Sequence, residues 1–266
     1  FVYFFDKAIS LNKILNNDNN LQSLGNKFTN NLTNLIDSNT SFITILCQII
    51  NTKIRELPDL EQDISNLNSL KNIIQLLNYI KNKDIFYAKY SQYLIGRLLT
   101  DTNLYYEKKL IETIEIIQDY NYVKKLHKMI DDIDISKSNM FNYHMIKINQ
   151  SENLIDSNFN LKNLNILTFS YNVWDLCLNK SSNDFKDFSS FKVCPQLRSY
   201  LLTYDKYYKT KYQGRNLNWY LEMGTIEMGI YLNNNKYQVQ VNPYQMTVFE
   251  LFNQQDSLTD TFIIDR

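Results

Sequence analysis

Apolar side chains recur with the 3.6-residue period of an α-helix from residue 1 to about residue 150. The clearest stripe has the spacing of one buried helix face and consists of Phe42, Ile45, Leu46, Ile49 and Ile50. Further stripes lie within residues 73–80, 90–100, 101–117 and 122–135. Glycine and proline, which weaken helices, are nearly missing from this region. The pattern predicts a bundle of long helices over residues 1–160.

Two polar stretches predict connections between these helices. One is the asparagine-rich stretch at residues 16–20, and the other runs over residues 58–68 and begins with the helix breaker Pro58. Asp101 or Asn103 is expected to cap the helix that follows it.

The hydrophobic period changes to two in the second half of the chain. Two runs alternate apolar with other side chains, as half-buried strands do; they are Ile226, Met228, Ile230, Leu232 and then Tyr237, Val239, Val241. Three asparagines at residues 233–235 separate the runs, and asparagine tolerates the left-handed backbone of a turn. The sequence therefore predicts a β-hairpin. A short apolar run at residues 164–168 predicts a buried strand, and helical spacing returns over residues 245–253 after Pro243.

These patterns together predict an α+β fold that is mainly α. The helical bundle of residues 1–160 is followed by a small α/β domain over residues 161–245, and residues 246–266 begin a further helical unit. Trp174 and Trp219 are expected to anchor the core of the α/β domain.

Charge and glycine usage exclude several function classes. The 28 basic and 28 acidic residues give a formal net charge of +0, so no overall field attracts nucleic acid or an acidic membrane. The glycines match neither the dinucleotide-binding nor the phosphate-loop spacing. This disfavours nucleotide-dependent chemistry.

Cysteine and histidine are too scarce to indicate a metal site. Cys47, Cys177 and Cys194 are far apart and odd in number, so neither a disulfide framework nor a zinc site is predicted. Structural roles are expected of the two histidines, His127 and His144. No cofactor is predicted, and this cysteine usage is typical of a reducing intracellular compartment.

No membrane segment is expected. The longest apolar run, residues 42–50, is too short to span a bilayer. Because the chain begins at Phe1 rather than methionine, we expect it to be a piece of a longer protein.

Two clusters of charged residues are candidate sites. Asp131, Asp132 and Asp134 are interpreted as a solvated helix end, since no partner ligand can be identified. Residues 200–219 interleave tyrosines with basic side chains, as a surface for single-stranded nucleic acid does, although no RNA-binding motif accompanies them. No nucleophile, base and oxyanion hole assemble, so the residues favour a non-enzymatic scaffold.

Four ordered motifs resemble the cullin family. Residues 78–99 contain N-Y-I-K-N-K-D-I-F and Y-S-Q-Y-L-I-G-R-L-L, which resemble the cullin patterns Y-I-x-D-K-D-V-F and F-Y-x-x-x-L-A-K-R-L-L. Residues 122–136 resemble the pattern F-T-x-K-L-x-x-M-F-x-D-I-x-x-S. Residues 213–219, Q-G-R-N-L-N-W, resemble S-G-R-K-L-x-W, the most specific of these motifs. Residues 244–259 resemble the entry into the first winged-helix unit of cullins.

The resemblance implies a scaffold without catalytic residues of its own. Cullins are scaffolds of multisubunit RING ubiquitin ligases in the cytoplasm and nucleus. A helical stalk holds the substrate receptor or adaptor, and a cullin-homology region holds the RING-box protein, which recruits the ubiquitin-conjugating enzyme. Residues 1–160 would then be the end of the stalk and the four-helix bundle, residues 161–245 the α/β cullin-homology domain, and residues 246–266 the start of a winged-helix unit.

The resemblance also implies a binding site for the RING-box protein. The N-terminal tail of that partner is expected to add a strand to the cullin sheet, and a small sheet with exposed edges suits such an addition. The expected hosts are residues 164–168 and 217–232. The residues expected at the interface are Ile166, Thr168, Trp219 and Ile230, with core packing as the alternative role of Trp219.

Some family features are altered or lie outside the sequence. Gly96-Arg97 stands where cullins have Lys-Arg, and Trp174 is followed by Asp175 where the family usually has Trp-Pro. The neddylated lysine of cullins belongs to a later winged-helix unit, so no residue here is assigned that role, and the receptor-binding stalk is also missing. The alternatives are the cullin-like subunit of the anaphase-promoting complex and, in a different class, a helical nucleic-acid-binding module.

Overall fold

The structure is a computed structural model of the chain. It describes residues 2–18, 20–39, 41–57, 64–100, 104–117, 120–150, 164–174, 193–233, 235–253, 255 and 257–264. The chain divides into two compact units, Phe1–Asn179 and Lys180–Arg266. The mainly helical α+β fold class is confirmed. The predicted domain boundary at residue 160 lies outside the described residues and stays a prediction.

The first unit consists of long helices, as predicted. Its described helices are α1 (Val2–Asn17), α2 (Gln22–Ser38), α3 (Phe42–Arg55), α4 (Ile64–Ile74), α5 (Lys83–Leu98), α6 (Leu104–Ile117) and α7 (Tyr120–Gln150). The predicted connection at residues 16–20 is confirmed between α1 and α2. Helix α4 begins inside the second predicted connection, whose residues 58–63 lie outside the described residues, as do the predicted caps Asp101 and Asn103.

The predicted stripes form the core of the first unit. On α3, Phe42, Leu46 and Ile50 are buried, and this helix packs against α5. The stripes of the later helices belong to the same cluster; their buried members are Ile73, Leu76, Leu77, Ile80, Tyr90, Leu94, Leu98, Leu110, Ile114, Val123, Leu126, Met129, Ile130 and Ile133. Helical periodicity thus located this core.

The helix at residues 73–80 differs from the prediction in its winding. The α-helical part, α4, ends at Ile74, and a 3₁₀ segment continues it over Gln75–Tyr79. Such tightening is frequent at helix ends because it satisfies carbonyls that the α-helix leaves unpaired. Leu76 and Leu77 remain buried within it.

Helix α7 is longer than predicted, since it ends at Gln150 rather than near residue 135. Its buried face continues through Ser136, Asn139, Met140 and Tyr143. The polar residues Ser136 and Asn139 interrupt the run of apolar positions on this face, so the apolar pattern alone ends before the helix does.

Arg97 of α5 is a charged side chain with no exposed surface. Its guanidinium donates to both carboxylate oxygens of Glu107 on α6, at 2.5 and 3.1 Å, and to Oδ1 of Asn51 on α3 at 3.1 Å. Burial alone would lower the pKa of Arg97, but the charge and hydrogen bonds of Glu107, together with Tyr90, outweigh this and the pKa is raised. The arginine therefore stays charged and ties three helices together.

The second unit combines a hairpin with helices. Its elements are α8 (Pro195–Lys211), a 3₁₀ segment (Leu221–Met223), β1 (Ile226–Leu232), β2 (Asn235–Val241), α9 (Pro243–Leu251) and α10 (Asp260–Ile264). A small core of Val193, Cys194, Leu197 and Leu201 forms around the start of α8. The sheet of the described residues has two strands, and of the expected host residues 217–232 only Ile226–Leu232 form a strand.

The predicted hairpin is confirmed. The strands β1 and β2 are antiparallel, with Ile226 opposite Val241 and Leu232 opposite Asn235. Asn233 adopts the left-handed backbone expected of the turn, with φ of 49°. Short-range chemistry therefore specified this element.

The predicted helix at residues 245–253 is found two residues earlier, as α9. Asn242 caps it, because its side chain accepts the Gln245 N–H at 2.8 Å while the Gln245 side chain accepts the Asn242 N–H at 2.9 Å. Pro243 occupies the first turn, where a missing N–H costs nothing. The proline thus ends β2 and begins α9.

The buried ion pair predicts that replacing either of two glutamates of α6 lowers the free energy of unfolding by very different amounts. We expect Glu107→Gln to lower the free energy of unfolding by about 3–5 kcal/mol, because it leaves the Arg97 charge buried without its partner. The control Glu112→Gln removes an exposed glutamate that pairs with Lys109, and we expect a loss below about 1 kcal/mol. Urea unfolding of both variants measures this, and equal losses would contradict the interpretation.

Burial of Cys47 predicts a loss of stability at alkaline pH. Burial raises the pKa of this thiol from 9.0 to about 12, so the unfolded chain releases the thiol proton at a lower pH than the folded chain. The stabilisation is therefore complete below pH 9 and is lost as pH rises toward about 12, at about 1.4 kcal/mol per pH unit.

The difference between wild type and Cys47→Ala isolates this thiol from the other groups that titrate there. We expect the free energy of unfolding of wild type to fall about 1.4 kcal/mol further than that of the variant between roughly pH 8 and pH 10. Parallel pH profiles in urea titrations would contradict the assignment.

Candidate partner-binding site

The four predicted interface residues lie in different units. Ile166 and Thr168 belong to the first unit and Trp219 and Ile230 to the second. Each pair is therefore characterised by the contacts that it makes within its own unit.

The segment of residues 164–174, which we call the docked segment, contains Ile166 and Thr168. The structure differs from the predicted strand at residues 164–168, since these residues have no regular secondary structure. A strand needs the backbone of a neighbouring strand, and no described strand pairs with them. Ile166 is only 8% exposed, so its side chain belongs to the interior.

Side chains of α7 bind the backbone of the docked segment. The Thr168 N–H donates to Ser136 Oγ at 2.8 Å, and the Thr168 carbonyl oxygen lies 2.9 Å from the same hydroxyl. One helical turn earlier, the Asp132 carboxylate accepts the Ser170 N–H at 2.8 Å and the Ser170 hydroxyl at 3.0 Å. Two polar residues of a helix thus take the place of a partner strand.

The indole of Trp174 completes this arrangement. Its Nε1–H donates to Asp132 at 3.1 Å, and its ring stacks on Phe169 with centroids 3.9 Å apart. Trp174 is buried in the core of the first unit. The prediction that it anchors the α/β domain is therefore corrected, because its hydrogen bond and its packing attach it to the helical unit.

Asp132 was predicted to lie on a solvated helix end, and this is wrong. The side chain is buried in the middle of α7, where three donors of the docked segment satisfy its carboxylate. Sequence reasoning missed both Asp132 and Ser136 as site residues. The available signal was their i, i+4 spacing, which places two polar groups on the inward face of one helix.

Ile230 lies on β1, whose outer edge has no described partner strand. The strand alternates half-buried Ile226, Met228 and Ile230 with exposed residues, which confirms the predicted period of two. Leu232, which was predicted to share the buried face, is 57% exposed at the end of the hairpin. The apolar face of β1 is thus covered at its base and increasingly open toward the turn.

Trp219 packs against the small core of the second unit. Its ring makes an edge-to-face contact with Tyr204 of α8, with centroids 6.3 Å apart. These contacts support core packing, the alternative role weighed for this residue.

The aromatic and basic stretch at residues 200–219 directs its cations toward its own tyrosines. Lys211 lies 5.4 Å and Arg215 5.2 Å from the centre of the Tyr212 ring, and Lys209 pairs with Asp205 at 2.7 Å. Side chains engaged in this way are less available to stack bases or bind phosphates. The geometry therefore does not favour the nucleic-acid hypothesis.

The described cysteines are buried, and His127 lies beside a carboxylate. Cys47 and Cys194 are buried, Cys177 lies outside the described residues, and His127 Nε2 lies 3.2 Å from a Glu115 carboxylate oxygen. Within the described ranges no three His, Cys, Asp or Glu side chains gather as metal ligands would. None of the described helices has the length and apolarity needed to cross a membrane.

Comparison with known proteins assigns most of the chain to one family. The family model described as the cullin alpha solenoid domain matches residues 4–140, and that described as the cullin alpha+beta domain matches residues 168–265. Cullin-1 of Dictyostelium discoideum is 27% identical over 223 residues, which are 81% of this chain and 27% of that protein. Cullin-3B of Arabidopsis thaliana is 25% identical over 260 residues, which are 96% of this chain and 32% of that protein.

A third relative, Cullin-2 of Caenorhabditis elegans, is 27% identical over 196 residues, which are 71% of this chain and 24% of that protein. The chain therefore spans about a quarter to a third of the length of these relatives. Since the solenoid match alone covers more than half of its residues, the chain belongs to the cullin family.

Proposed function

We propose that this chain is part of a cullin scaffold of a RING ubiquitin ligase and binds a RING-box protein by strand addition. The observation that carries the proposal is a pair of strand-like edges within a member of the cullin family. One is the outer edge of β1, and the other is the docked segment, whose backbone is bound by helix side chains. Both suit β-augmentation, in which backbone hydrogen bonds supply affinity.

The chain contributes geometry rather than catalysis in this proposal. The RING-box protein recruits the ubiquitin-conjugating enzyme, and a substrate receptor or adaptor binds a stalk that precedes this region in the full protein. Such an assembly acts in the cytoplasm and nucleus. The cullin-like subunit of the anaphase-promoting complex is the alternative if no RING-box protein binds.

The hairpin register identifies which backbone groups face outward. Leu232 and Asn235 flank a two-residue turn, so they form a hydrogen-bonded pair. Pairs along an antiparallel ladder alternate between hydrogen-bonded and non-hydrogen-bonded. Glu227 and Gln240 face each other as a non-hydrogen-bonded pair, so the N–H of each residue points to the outer edge of its own strand. These two exposed residues are matched positions on the two edges.

We therefore expect Glu227→Pro to weaken binding of the RING-box protein by about tenfold or more, because it removes an outward N–H from the β1 edge. The matched control Gln240→Pro removes the equivalent N–H from the β2 edge and should bind as wild type does. Proline is tolerated at the edge of a sheet, so both chains should fold. Titration calorimetry with purified RING-box protein measures both affinities.

Each outcome of this experiment decides a separate point. Weaker binding of Gln240→Pro alone would place the partner on the β2 edge. Wild-type affinity in both variants would show that neither edge of the hairpin belongs to the interface. A folded wild-type chain that binds no RING-box protein would overturn the proposal itself. Ile166→Arg is a poor test because Ile166 is buried, whereas Ile230→Arg, at a half-buried position, should reduce binding while preserving helix content.

A further inference from the structure

The last turns of α7 carry a second row of apolar side chains, on the side that faces away from the core. Phe141, Met145 and Ile148 are 65%, 44% and 56% exposed. Their spacing of four and then three residues places them on one line along the helix, over a length of about 10 Å. The buried side of the same turns includes Met140 and Tyr143. This part of α7 therefore presents apolar groups on two sides.

Two further apolar residues widen this row into a surface. Ile135 and Ile146 are 44% and 42% exposed, and helical geometry places them beside the row. We call these five apolar residues the outer face of α7. Ser138 and Asn142, the polar residues among them, are uncharged and exposed. An apolar face of this width on a helix ordinarily packs against another element.

The outer face is separate from the part of α7 that holds the docked segment. Asp132 and Ser136 bind that segment, and both are buried on the inward side of the helix. The outer face lies on the opposite side, because helical geometry fixes the direction of each side chain. It therefore belongs neither to the core of the first unit nor to the docked segment.

The charges around the outer face have one sign. From residue 135 to residue 150 the sequence contains two lysines, Lys137 and Lys147, and no Asp or Glu. The acidic residue that precedes this stretch, Asp134, pairs with Lys108 at 2.7 Å. A second copy of the chain would bring like charges together across the outer face, which is unfavourable. A partner with carboxylates beside its apolar residues would instead be attracted to it.

We propose that the outer face of α7 binds an amphipathic helix of a partner protein, in which apolar residues recur every three or four positions and are flanked by Asp or Glu. The row of Phe141, Met145 and Ile148 has the matching spacing, because helices that pack side by side interlock residues at intervals of three and four. Lys137 and Lys147 then lie on the helix that receives the partner's carboxylates. This interaction goes beyond the proposed scaffold role and does not depend on the RING-box protein.

Two synthetic helical peptides test both the apolar and the charged part of the proposal. Each has leucine at the a and d positions of its heptads, and the positions e and g carry glutamate in one peptide and lysine in the other. Like charges at e and g keep each peptide from pairing with itself. We expect the chain to bind the glutamate peptide about tenfold or more tightly than the lysine peptide, with a difference that shrinks as salt is added. Fluorescence anisotropy measures both affinities. Equal affinities overturn the proposal, as does a glutamate peptide that does not bind.

A pair of variants locates the peptide on the chain. Phe141→Ser removes the largest side chain of the outer face, and we expect the affinity for the glutamate peptide to fall about tenfold. The control Ile116→Ser replaces an apolar residue of α6 that is 86% exposed and lies outside the outer face, so it should bind as wild type does. Because both side chains are largely exposed, both variants should keep the thermal midpoint of wild type. A Phe141→Ser chain with unchanged affinity overturns the proposal.

Methionine oxidation reports whether the outer face is accessible. Met145 is exposed and Met129, on the same helix, is fully buried, so peroxide should oxidise Met145 first, and the glutamate peptide should slow this oxidation. Mass spectrometry measures both rates. If Met145 of the chain without peptide reacts as slowly as Met129, the chain's own residues cover the outer face. If wild type dimerises in sedimentation equilibrium and Phe141→Ser does not, a second copy covers it. Either result overturns the proposal.

Discussion

A charged side chain loses its hydration when it is buried in the first unit, so it needs partners that satisfy its hydrogen bonds. Arg97 illustrates this constraint, because an unpaired guanidinium in the interior would cost several kcal/mol. Glu107 and Asn51 receive its donors from two neighbouring helices. The positions of α3, α5 and α6 are therefore coupled through a directional contact as well as through apolar packing, which has no direction of its own.

The same constraint shapes the candidate site on α7. A buried backbone N–H must find an acceptor, and the docked segment has no described partner strand to supply one. Asp132 and Ser136 supply it instead. In a sheet, a strand's backbone is bound by the backbone of its neighbours. Here side chains of a helix bind the backbone of the segment, and they do so along one edge. On the opposite edge, the backbone N–H groups of Leu167 and Phe169 have no hydrogen-bond partner among the described residues.

Local chemistry made much of the fold predictable. The stripe through Leu46 and Ile50 located α3, and the asparagines around Asn233 located the hairpin turn, because each signal lies within the element that it specifies. The burial of Asp132 was not predictable in this way. Apart from Lys128, one turn away on the same helix, the groups that satisfy it belong to Ser170 and Trp174, which are 38 and 42 residues away. The i, i+4 spacing of Asp132 and Ser136 is a local signal, but it does not identify these distant partners.

The candidate site shows the same division between local and distant information. Ile166 and Thr168 belong to a short apolar run of strand-like residues, and that run lies on the segment bound by α7. Strand addition, however, depends on the direction of backbone groups rather than on side chains. That direction is fixed here by Ser136, 32 residues earlier in the chain. The side chains that bind one edge of an extended segment therefore also decide which backbone groups point away from them. Such side chains can be found by asking which residues accept or donate the hydrogen bonds that a neighbouring strand would otherwise make.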